Sequence, residues 1–194
     1  MATALLVIDA QKVYTDPDSE LYCGDAKGTI TRINSLVLRF QDKKQPIFLI
    51  RHVHKKDGSD LGRMFDYLGE EEEDFNFKEG TPEVEYDDKL IRPKGVTELT
   101  KARYSAFVRT ELEKMLRKKS VDRLVICGFM TNFCCESTAR DAHDRDYFVD
   151  FVVDATGTPG TETRNEGEIR NIVGEFMKTG IARVMTTEEY LKQG

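Results

Sequence analysis

Short, uninterrupted apolar runs separated by longer amphipathic stretches constrain this chain more than any other feature of its sequence. Ala4-Leu-Leu-Val-Ile8, Pro46-Ile-Phe-Leu-Ile50 and Asp122-Arg-Leu-Val-Ile-Cys-Gly128 are too short and too evenly apolar for surface helices. They suit strands buried on both faces. Between the first two, from about residue 26 to residue 43, Ile30, Ile33, Asn34, Val37 and Phe40 keep helical spacing, and all but Asn34 are apolar. Helices are also predicted over residues 110–119, about 133–144, 162–178 and from about 187, with strands over 148–153 and 182–185. Residues 89–92 and 97–100 read as short extended pieces around Pro93 and Gly95. Such alternation predicts βαβ units: an α/β fold with a parallel sheet and helices on both faces. Ligands in these folds gather beyond the carboxyl ends of the strands. Asp9 and the segment after Gly128 occupy two such ends.

The chain's 194 residues fit a single domain spanning 1–194. Residues 55–88 show no period and include the acidic run from Glu70 to Asp74. They read as a long surface excursion, the acidic run as a solvated face, and the whole as a lid or partner-contacting arm. Asp and Glu number 35 against 29 Lys and Arg, a formal charge of −6 that argues against a nucleic-acid-binding face. Residues 1–3 carry no basic region and the first apolar run stops at Asp9, so neither a signal peptide nor a membrane span is expected. Cys23, Cys127, Cys134 and Cys135 form no CxxC pair, which disfavours a zinc knuckle. A cytoplasmic protein with reduced thiols is the expectation.

Individual residues leave alternatives open. Cys134 follows a strand where a helix should begin, and unpaired N–H groups there would favour the thiolate and lower its pKa from about 8.5. Cysteine also packs as a small hydrophobe, the natural reading for Cys127 in mid-strand and for Cys135 on another helix face. Asp9 is either a turn residue or a carboxylate acting as acid and base. By spacing alone Lys101 reads as a surface charge. His52 and His54 alternate along a strand end and share a face. No further ligands stand nearby in sequence, so a structural or substrate-contacting role is favoured over a metal.

Three segments in order carry a resemblance: Ala4-Leu-Leu-Val-Ile-Asp-Ala-Gln11, Leu99-Thr-Lys-Ala-Arg-Tyr-Ser-Ala-Phe107 and Val125-Ile-Cys-Gly-Phe-Met-Thr-Asn-Phe-Cys-Cys-Glu-Ser-Thr-Ala-Arg-Asp-Ala142. Together they resemble the isochorismatase-like cysteine hydrolase superfamily, from residue 4 to about residue 160. The resemblance implies a three-layer, Rossmann-like fold with a mostly parallel six-stranded sheet, in homo-oligomers such as dimers or tetramers. It implies a catalytic triad of Asp9, Lys101 and Cys134 and a cis peptide between Phe129 and Met130. The backbone N–H groups of Met130 and Cys134 would form the oxyanion hole, and His54, Tyr104 and Phe107 are candidate substrate contacts.

A small-molecule substrate and no cofactor are implied. The implied chemistry is cleavage of a C–N bond in a small amide or ureido compound through a thioester. Family nicotinamidases carry an Asp-x-His metal element where this chain reads His52-Val-His54, so no metal is expected here. The alternatives are vinyl-ether hydrolysis of the isochorismatase type, where an acid suffices, and a non-catalytic redox sensor built on the adjacent Cys134 and Cys135.

Overall fold

Residues 2–66 and 75–193 are described by the computed structural model; the acidic run at 70–74 lies outside them. Six strands, β1 (Ala2–Ile8), β2 (Ile47–His52), β3 (Thr97–Lys101), β4 (Val121–Phe129), β5 (Phe148–Gly157) and β6 (Arg183–Met185), form one sheet in the order β3-β2-β1-β4-β5-β6. Every pairing is parallel. The chain winds outward from β1 to β3, returns to β4 on the other side of β1, and winds outward again. The switch point therefore falls between β1 and β4, where Ile8 pairs with Gly128.

The even apolarity of the central runs follows from burial on both sides. Leu5 and Val7 of β1 join one core cluster while Ala4, Leu6 and Ile8 join the other. Ile47 and Leu49 alternate in the same way with Phe48 and Ile50 of β2, as the two-residue period of a strand requires. The first core packs under α2 (Ala26–Asp42), which contributes Ile30, Ile33, Leu36, Val37 and Phe40. Tyr190 and Leu191, at the end of α6 (Thr187–Leu191), join it. The second packs under α3 (Leu112–Lys118), α4 (Glu136–Asp144) and α5 (Glu166–Lys178). No helix among the described residues is long and apolar enough to cross a membrane.

The structure corrects several boundaries. α5 starts at Glu166, not 162, because Asn165 closes a capping box with Glu168. Residues 89–92 form no strand. Instead Asn34, the polar exception in the α2 pattern, donates to Lys89 O and accepts from Ile91 N, both at 2.8 Å, while Leu90 enters the first core. A short helix, α1 (Lys12–Thr15), lies between β1 and α2. The described part of the 55–88 excursion is not a free arm. Phe77, Val84 and Tyr86 are buried in the first core. His54 bridges to Lys78 and Gln11 to Tyr86.

Candidate active site

Three strand ends position the candidate residues. Asp9 follows β1 with φ of 47°, a left-handed conformation that Asp tolerates better than most residues. Its backbone N–H donates to Ile50 O of the neighbouring strand. Lys101 is the last residue of β3. Cys134 lies in a π-helical turn, Thr131–Cys135, between β4 and α4, and the Phe129–Met130 peptide before it is cis. The side chains converge although 125 residues separate the first from the last. Lys101 Nζ lies 2.8 Å from Asp9 Oδ2 and donates to Cys134 Sγ at 3.2 Å and to Arg103 O at 3.1 Å. Exposure is 0% for Asp9, 2% for Lys101 and 1% for Cys134, so their mutual electrostatics are little screened by water.

Burial decides the protonation of this group. It raises the Asp9 carboxyl above the usual carboxylate range against the pull of Lys101. It also disfavours the Lys101 charge, but Asp9 and Cys134 outweigh it and the ammonium is held. Burial pushes the Cys134 thiol up to about 12, against the lowering effect of Lys101. The lowered pKa expected from a helix N-terminus is thereby overturned: α4 begins only at Glu136, and desolvation of an almost wholly buried sulfur outweighs the local dipole. Alkylation by iodoacetamide should therefore accelerate steadily from pH 7 to 10. A plateau reached below about pH 8.5 would contradict this protonation state.

Beside Cys134 lies a cavity of about 190 Å³. Tyr14, Leu21, Phe65, Phe77, Tyr104 and Phe133 form most of its wall, and the Tyr104 and Phe133 rings, each more than a third exposed, sit 5.1 Å apart. Met64, Asn76, Met130 and His52 complete the lining. Of the three candidate contacts, Tyr104 reaches this cavity and the other two do not. Phe107 is buried in the second core, facing Tyr147 and under the Arg145 guanidinium. His54 is fully buried behind His52, its Nε2 3.0 Å from His52 Nε2 and its Nδ1 3.4 Å from Asp60 Oδ1. His52 itself, which the sequence left undecided, stacks on Phe77 at 4.4 Å and lines the pocket. Its position on the same strand end as His54 was the available signal.

One ligand atom each from Asp9, His52 and Cys134 lie within 4.8 Å of one another, a donor set of the kind a transition metal takes. The fit is poor: the Lys101 ammonium already occupies the Asp9 and Cys134 donors, and a second cation would be repelled there. All four cysteines are free thiols, and Cys135 is buried in the second core.

A family model described as the isochorismatase domain matches residues 3–189. Nicotinamidase 3 of Arabidopsis thaliana is 32% identical over 175 residues, covering 89% of this chain and 81% of that protein. Ureidoacrylate amidohydrolase of Methylorubrum extorquens is 42% identical over 93 residues, 48% of this chain and only 38% of that protein's length. Among solved structures, a cysteine hydrolase from Pseudomonas syringae pv. phaseolicola 1448A superposes with a TM-score of 0.88 at 29% identity, covering 98% of this chain and 91% of the other. With the model matched almost end to end on a six-stranded parallel sheet, this chain belongs to the isochorismatase family of hydrolases.

Proposed function

We propose that the protein hydrolyses a C–N bond in a small amide or ureido compound, with Cys134 as nucleophile and Asp9 and Lys101 as its partners. The observation that carries the reading is the Lys101 ammonium held between a buried carboxylate and a buried thiol at the edge of a cavity. Two relatives bear the names of amide-cleaving enzymes, which agrees with it.

The thiol is neutral at rest, so attack and deprotonation go together. Asp9 Oδ1, buried and without a hydrogen-bond partner, accepts the Cys134 proton as Sγ bonds to the carbonyl carbon. The carbonyl π electrons move to oxygen, where the N–H groups of Met130 and Cys134 receive the anion. Collapse of this adduct breaks the C–N bond, and the departing nitrogen takes the proton from Asp9. Water then attacks the thioester, gives a proton to Asp9, and the acid leaves as that proton returns to sulfur. Lys101 keeps its charge throughout and offsets the anionic character that moves among Asp9, sulfur and oxygen.

Incubation with a panel of small amides, ureides and isochorismate tests the proposal. Acid quenching during turnover of an amide should leave an acyl group on the peptide containing Cys134, detected by mass spectrometry. Turnover of isochorismate with none of the amides would replace this reading with vinyl-ether hydrolysis.

A further inference from the structure

The polar groups facing the cavity are few. Among its described lining residues there is no Lys or Arg, and residues 67–74 contain neither. Lys101, beneath Cys134, has three N–H donors and already has three acceptors within 3.2 Å: Asp9 Oδ2, Cys134 Sγ and Arg103 O. The Arg103 guanidinium donates to Asp60 O at 2.7 Å and to Ala102 O. A substrate carboxylate entering this pocket would meet aromatic rings and no cation among the described lining residues, and an unpaired buried charge is costly.

His52 defines what the pocket does ask for. The Asp60 carboxylate lies 3.4 Å from His54 Nδ1, outside hydrogen-bond geometry, but its negative charge favours the tautomer with the His54 proton on Nδ1 and the lone pair on Nε2. In that tautomer His52 donates through Nε2 in the 3.0 Å contact between the rings, and its Nδ1 keeps a lone pair. Among the described residues that Nδ1 has no hydrogen-bond partner, although His52 is 1% exposed. Burial and the Lys101 charge both hold the ring neutral, so the lone pair persists at ordinary pH. A ring nitrogen of His52 lies within 4.8 Å of Cys134 Sγ, close enough for one small group to contact both. The cavity volume of about 190 Å³ is a little above that of an engineered apolar cavity of about 150 Å³ that holds benzene.

We propose that this pocket selects uncharged amides or ureides whose apolar body is the size of a single ring, with His52 as the specificity-determining acceptor for a substrate N–H. The inference rests on the reading of Cys134 as the attacking group, and it deepens that reading by naming what the site admits. The body lies among Phe77, Tyr104 and Phe133, the carbonyl carbon at Cys134, and an amide N–H at His52. The same amide carrying a carboxylate is rejected, because no Lys or Arg stands among the described lining residues to pair with it.

Benzamide and 4-carbamoylbenzoate, which differ by one carboxylate, separate the possibilities. Protection of Cys134 from alkylation is measured first, since it does not require turnover. Benzamide should protect at a concentration at least about 100-fold below that needed of 4-carbamoylbenzoate, and kcat/KM should favour benzamide by a similar factor. His52→Leu should raise the benzamide concentration needed by about tenfold, and His52→Gln, which restores an acceptor, should recover most of it. Equal protection, preference for the carboxylate, no protection by either compound, or failure of His52→Gln to recover what His52→Leu loses would each overturn the inference. Selective protection by benzamide with no amide turned over would uphold the pocket's selectivity and overturn the hydrolytic reading alone.

Discussion

Cys134→Ala is expected to lower kcat/KM for amide hydrolysis by at least about 10⁴-fold, the scale seen when a covalent nucleophile is removed. Its melting temperature should stay close to that of the wild type. The substitution deletes one sulfur beside an existing cavity and leaves the Asp9–Lys101 pair, 2.8 Å apart, in place. Steady-state kinetics and thermal denaturation on the same preparation separate the two effects. Asp9→Asn removes the proton acceptor but not the thiol and should cost about 10²- to 10⁴-fold, the range of general-base contributions. The contrast is diagnostic, because acid-promoted vinyl-ether cleavage needs the carboxyl and not the sulfur. If Cys134→Ala kept more than a tenth of the activity while Asp9→Asn lost it, the thioester route would be excluded.

The largest expected loss of stability comes from one glycine. Gly128 has φ of +123°, and a Cβ built there would lie 1.9 Å from the carbonyl oxygen of Ile8 and 2.7 Å from two further backbone atoms of the same residue. Those atoms belong to the strand paired with it, so no rotamer change relieves the clash. Gly128→Ala must push β4 away from β1 at the switch point. It should destabilise by at least about 4 kcal/mol, which for a chain of this length lowers the melting temperature by at least about 10 °C. Gly80→Ala is the matched control: its φ is +85°, but nothing lies within 4 Å of the added carbon. It carries only the conformational penalty, about 1 kcal/mol, and should lower the melting temperature by a few degrees. Equal losses in the two variants would show that the close approach of β4 to β1 contributes nothing.

The central strands were legible because burial on both faces leaves a run with almost no polar interruption, as in Leu5, Leu6 and Val7. The edges of elements were harder. Thr97–Lys101 alternates exposed and covered residues at the sheet's margin, and a capping box rather than apolar periodicity sets the start of α5. The docking of residues 75–88 was missed because Phe77, Val84 and Tyr86 follow neither period; each reaches the core from irregular backbone. At the site, position suggested Asp9 and Cys134, but Lys101 had only the family resemblance to recommend it, since lysine is rarely buried without a partner. The pKa of Cys134 was misjudged for a related reason: sequence shows where a helix is due to begin, not how thoroughly water is excluded there. Phe107 and His54 stand near these loops in sequence, but Phe107 packs into the second core and His54 lies against His52.

Gln11 has an effect on how the cavity can respond to its contents. Its side-chain amide accepts from His52 N at 2.7 Å and donates to His52 O at 3.0 Å and Val84 O at 2.9 Å. One fully buried side chain thus rivets the tip of β2 to the segment that carries Phe77. This side of the cavity is cross-braced, whereas the Tyr104 and Phe133 rings at the rim are each more than a third exposed and 5.1 Å apart. A bulkier guest should therefore displace those two rings before it changes the spacing of His52 and Cys134.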